Sequence, residues 1–193
     1  MISTSEVPSL LLRLRSETRA SHEALEQNAF NQSLRDNTLT VAATTQFLAK
    51  MYGFLQPYET ALRAHAAAFG PAWELPQRQR AHLILADLQR PATNPGLPLC
   101  PAMPPLVTHA QLLGAMYVME GSTLGGQVIT RQLAKADIPL RRYFAGYGER
   151  TGPMWKAFCQ LLTEVAPAET TADEIVDSAS RTFQHLDAWL NQP

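Results

Sequence analysis

Apolar residues recur along the chain at intervals of three and four and nowhere alternate over the length of a strand. From Ser9, a candidate N-cap behind Pro8, the run LLRLRSETRASHEALEQ sets Leu11, Leu14, Thr18, His22 and Leu25 on one face. It predicts one amphipathic helix to about Gln27. Residues 40–69 keep the same period and stop at Gly70 and Pro71, with Pro57 expected to kink or divide the helix. Pro76 can open a third helix through QRQRAHLILADLQ, whereas the six prolines of RPATNPGLPLCPAMPP exclude a helix from that stretch. Periodicity resumes near Val107 and persists to about Asp137, a further helix spans Pro153 to Glu164, and the last opens where Thr171 and Glu174 have capping-box spacing. The expectation is an all-α single domain over residues 1–193, of six or so helices, with residues 1–8 flexible.

The helix over residues 107–137 carries YVMEGSTLGGQ, in which Gly121, Gly125 and Gly126 each cost roughly 1 kcal/mol relative to alanine. Gly114 precedes them. A P-loop would need a strand before the glycines and GK[ST] after them, and Glu120, Gln127 and Arg131 interrupt any membrane-spanning run. Two readings stay open: small residues that let helices approach closely, or bare backbone facing a large flat ligand. At about 100° per residue, Tyr117, Gly121, Leu124, Gly125 and Val128 share a face, with the Ser122 and Thr123 hydroxyls at its edge.

His22 falls within the apolar stripe of the first helix, and Glu26 follows four residues later on the same side. A histidine in such a stripe is commonly a hydrogen-bonded core residue, and such a glutamate a solvated one. The pair also has a chemical reading. A carboxylate near one ring nitrogen fixes the tautomer and raises the basicity of the other, the arrangement that axial ligation of haem iron requires. Arg15, two turns before His22, and the more lateral Arg19 could meet an acidic ligand edge. His65, His82, His109 and His185 lack comparable surroundings and read as structural or surface groups.

Composition narrows the partners. Sixteen Lys and Arg against seventeen Asp and Glu, with no run of one sign, argue against nucleic acid and against a polybasic membrane patch. MISTSEVPSL lacks the basic start and apolar core of a secretory signal. Cys100 and Cys159 have neither CxxC nor zinc-ligand spacing and read as reduced thiols, so a cytoplasmic protein is expected.

Leu14, Thr18, His22 and Glu26 at four-residue intervals, followed about a hundred residues later by EGSTLGGQ, resemble the haem oxygenase family, and its bacterial biliverdin-producing, bacteriophytochrome-associated branch in particular. The resemblance covers the chain in length, helix order and motif spacing. It implies that His22 is the proximal iron ligand, oriented by Glu26 with Thr18 beside it, and that Gly121 and Gly125 lie over the haem on a kinked distal helix. It implies propionate contacts at Arg15 and Tyr117; Lys156, Arg141 and Arg142 are further candidates. Ser122 departs from the aspartate that animal members carry there, so proton delivery would run through hydroxyls, backbone and water. The implied reaction uses O2 and electrons from a ferredoxin, flavodoxin or reductase to open haem to biliverdin, CO and ferrous iron. A haem carrier or sensor that ligates through His22 without turnover is the alternative.

Overall fold

The computed structural model describes residues 9–165 and 169–192; the expected flexibility of residues 1–8 lies outside the described residues. Among these there are helices and no strands: α1 (Leu10–Glu17), α2 (Arg19–Leu25), α3 (Ala29–Arg35), α4 (Val41–Ala64), α5 (Ala81–Leu88), α6 (His109–Lys135), α7 (Arg142–Ala145), α8 (Thr151–Val165) and α9 (Glu169–Leu190). One continuous hydrophobic core joins α1, α4, α5, α6, α8 and α9, with the side chains of Leu14, Leu48, Leu112, Met116 and Phe158 fully enclosed. No described helix is long and apolar enough to cross a membrane.

Ser9 caps α1 as expected, its hydroxyl accepting from the Leu12 amide. The single first helix is corrected to two segments that meet at Thr18. Its buried hydroxyl donates to the Leu14 carbonyl at 2.6 Å, a back-bond that competes with the helix ladder and bends it. A short third helix was absent from the periodicity reading. Asn28 starts it, accepting from the Asn31 amide and donating to the Leu25 carbonyl, so one buried amide closes α2 and opens α3.

Pro57 neither divides nor ends α4, which runs unbroken through it. The proline leaves the Gly53 carbonyl without its helical donor, and the Cys100 amide supplies one at 2.9 Å. The proline-rich connection is irregular, as expected, and it compensates the helix it packs on. Gly53 makes this approach possible, since a Cβ there would meet the Pro98 carbonyl at 2.5 Å and the Trp189 ring at 2.8 Å. Pro76 sits in a 3-10 turn (Leu75–Arg78), not at the start of α5.

The capping box assigned to Thr171 and Glu174 is corrected too. α9 is already helical from Glu169, so Thr171 lies inside it, and Glu174 accepts instead from the Thr108 hydroxyl at 2.8 Å. The capping box belongs to α6, where the Thr108 hydroxyl accepts from the Gln111 amide and the Gln111 side chain accepts from the Thr108 amide. α6 packs along α9 at close range. A Cβ on Gly114 would collide with the Ile175 carbonyl and Ser178, so this glycine serves helix packing.

Candidate functional site

A cavity of about 580 Å3 lies between α2 and α6, closed by α3, α4, α7 and the end of α9. Its volume is in the range of small-molecule sites. His22, Leu25 and Glu26 form one wall, and Gly121 through Gly126 form the facing one. Two segments a hundred residues apart in sequence therefore meet across one space.

The glycines divide between the two readings left open by the sequence. A Cβ at Gly126 would collide with the Phe144 carbonyl, so this residue, like Gly114, is bare because backbone packs on it. A Cβ at Gly125 would meet nothing within 4 Å, and one at Gly121 would make only ordinary contact with Trp155 at 3.7 Å. The packing of the described residues does not require glycine at either position, and both line the cavity. The wall they form is a side-chain-free strip of α6, which continues as helix through them. The Ser122 hydroxyl donates to the Met119 carbonyl at 2.7 Å and the Thr123 hydroxyl to the Glu120 carbonyl at 2.6 Å, contacts that favour local bending.

His22 is less enclosed than its place in an apolar stripe suggested: its side chain is 54 % exposed, because the bend at Thr18 turns α2 so that the ring borders the cavity. Two neighbours constrain it. Phe183 of α9 meets the imidazole edge-on at a centroid distance of 5.6 Å, and Glu26 Oε1 lies 3.7 Å from Nδ1. The carboxylate is on the Nδ1 side, which leaves Nε2 for other chemistry. Thr18 is buried behind His22 and does not line the cavity.

Arg15 and Tyr117 also lie outside the cavity lining. They are neighbours of each other: burial pushes the Tyr117 phenol above the usual tyrosine range, and the Arg15 charge acts in the opposite direction. Tyr117 packs on Trp155 at 5.6 Å. Arg19 pairs with Glu23 at the surface, and Lys156, Arg141 and Arg142 do not reach the lining. Neither do the other four histidines. The cations that do reach it are Arg35, which donates to the Glu26 carbonyl at 3.0 Å, and Arg80.

The residues that sequence reasoning missed are mostly a polar group buried behind the glycine wall. Arg78, in a stretch that looks merely charged and polar, is 4 % exposed and pairs with Glu120, which also accepts from the Tyr147 hydroxyl at 2.8 Å. Arg78 donates further to the Trp73 carbonyl. Asp87 receives the amides of Arg142 and Tyr143 and so fixes the start of α7 against the cavity. Glu120 directly precedes Gly121, so the pair anchors the distal strip. Glu120→Ala strands a buried guanidinium and is expected to cost about 3–5 kcal/mol, read from denaturant unfolding. A loss below about 1 kcal/mol would show that the pair is not the anchor.

The family model described as "Heme oxygenase" matches residues 8–192. A heme oxygenase of Xanthomonas campestris pv. campestris is 25 % identical over 163 residues, covering 82 % of this chain and 95 % of that protein. Among solved structures, the heme oxygenase of Leptospira interrogans superposes with a TM-score of 0.76 at 18 % identity, covering 95 % of this chain and 98 % of that one. The NO- and CO-bound heme oxygenase of Neisseria meningitidis gives 0.75 at 20 % identity, with 95 % and 91 % covered.

Proposed function

Because the chain belongs to the haem oxygenase family, whose reaction is the oxidative degradation of haem to biliverdin, we propose that the cavity between α2 and α6 holds haem with His22 as the iron's protein ligand. The observation that carries this reading is the division of the glycines. Gly121 and Gly125 are bare where the fold has room for a side chain, opposite a histidine whose outer nitrogen is free to ligate. The space of about 580 Å3 between the two walls is where the macrocycle would lie. Bound haem supplies the iron at which O2 is reduced and the meso carbon that is oxidised.

The chain's own residues supply position and proton control. Glu26 stands on the Nδ1 side of the His22 imidazole, which leaves Nε2 facing the ligand, while Phe183 restricts the ring's rotation. Gly121 and Gly125 would let the α6 backbone approach a bound macrocycle closely and leave little room beside it. Ser122 places a hydroxyl in the lining where no carboxylate stands. Thr18 holds the bend that aims His22. Electrons come from a ferredoxin, flavodoxin or reductase. The whole chain acts as one cytoplasmic domain, and its biliverdin supplies a bacteriophytochrome.

Hemin added to the purified protein is expected to give a Soret band. A reductant in air should then bleach that band as biliverdin absorption appears. A complex that survives reduction and air would favour a carrier or sensor, and no complex at all would overturn both.

A further inference from the structure

The cavity wall beside Ser122 contains a buried cation without an ion-pair partner among the described residues. Arg80 is 3 % exposed, yet it lines the cavity. Its Nη2 donates at 2.7 Å to the Met119 carbonyl, the same oxygen that accepts from the Ser122 hydroxyl. Arg80 Nε is buried and has no hydrogen-bond partner among the described residues. The guanidinium lies 5.4 Å from the Tyr143 ring and 5.7 Å from that of Tyr147.

The carboxylates nearest to it are committed elsewhere. Glu120 is taken by Arg78 and Tyr147, and Glu59 Oε1 accepts the backbone amides of Arg80 and Ala81. The remaining groups facing the guanidinium are the phenols of Tyr58, Tyr143 and Tyr147. No ion pair to Arg80 occurs among the described residues. A buried guanidinium without an ion-pair partner is costly to maintain, and negative charge in the adjoining cavity would offset that cost. Burial raises the Tyr143 phenol above its ordinary range, while Arg80 and Ser122 both act to lower it, so the three groups form one coupled cluster.

We propose that Arg80 is a positioning residue of the distal wall: by satisfying the Met119 carbonyl it lets the Ser122 hydroxyl turn from that oxygen to donate toward the ligand opposite His22, beside the Tyr143 hydroxyl, and its charge stabilises negative charge there. This inference rests on the reading of the cavity as the haem site. Anionic or hydrogen-bond-accepting species on the iron are the class of ligand it favours.

The test uses the ferric hemin complex and two readouts independent of turnover: the pH midpoint at which iron-bound water becomes hydroxide, and azide affinity. A nearby cation and donors favour the anion and hold the midpoint down. Arg80→Gln should therefore raise the midpoint by about half a unit or more and weaken azide binding about threefold or more. Arg80→Lys should restore much of both. Ser122→Ala, which removes the hydroxyl that donates to the Met119 carbonyl, should shift the midpoint in the same direction and decides the matter if Arg80→Gln does not fold. An unchanged midpoint and azide affinity in the folded Arg80→Gln chain, or an unchanged midpoint in Ser122→Ala, would overturn the proposal. Failure of the unsubstituted chain to bind hemin would instead sink the haem-site reading beneath it.

Discussion

Replacing His22 by alanine is expected to abolish biliverdin formation while leaving the fold intact. The two outcomes separate because the imidazole side chain is 54 % exposed and no hydrogen bond to its ring occurs among the described residues. Substitutions at such positions usually change stability by less than about 0.5 kcal/mol, which for a chain of this size moves Tm by no more than about 2 °C. The loss of turnover has a different origin. On the α2 wall His22 is the residue that presents an imidazole to the cavity, and if it ligates haem iron as proposed, its removal would leave the iron without a protein ligand on that side. Hemin should still bind in the apolar cavity, with a shifted Soret band. Imidazole added to the variant should refill the vacated position and restore part of the activity. Unchanged turnover in His22→Ala would mean that another group ligates the iron, and a lost fold would mean that His22 is a structural residue.

Helical periodicity alone brings the candidate site residues together in pairs. His22 and Glu26 are four residues apart, so any helix through both places them on one side, whatever the tertiary structure. The same holds for Gly121 and Gly125. Whether each glycine faced a cavity or a neighbouring helix was not legible, since Gly125 and Gly126 differ only in the direction of a missing Cβ. The bend at Thr18 was hidden as well, because a threonine is compatible with either a straight or a back-bonded helix. Short elements failed for a related reason: α7 spans four residues and owes its start to Asp87, more than fifty positions earlier. Arg78 and Arg80 carry no local sign of burial, because it depends on Glu120 and the Met119 carbonyl, about forty residues distant. No local pattern encodes those partners. The misassigned cap at Thr171 shows the converse, a correct local motif overruled because the helix had already begun.

Adjacent glycines in the distal strip are expected to respond in opposite ways to the same substitution. Gly126→Ala drives a methyl into the Phe144 carbonyl, a backbone atom held by α7 that cannot rotate away. Overpacking of this kind costs about 1–3 kcal/mol, so the variant should melt several degrees lower, with cavity geometry disturbed as a consequence. Gly125→Ala meets no neighbour, and replacing a mid-helix glycine with alanine is worth up to about 1 kcal/mol to the helix. The protein without haem should therefore be as stable as the parent or slightly more so. Activity should order the two differently. A methyl at 125 projects into the space where the macrocycle and O2 would sit, and a larger residue such as phenylalanine there should block hemin or O2 and suppress turnover almost completely. Paired thermal melts and hemin titrations of Gly125→Ala, Gly125→Phe and Gly126→Ala measure both effects. A Gly125→Phe chain that binds hemin and turns it over normally would remove α6 from the distal role, since only a ligand against that strip gives the fold a reason to forgo the side chain.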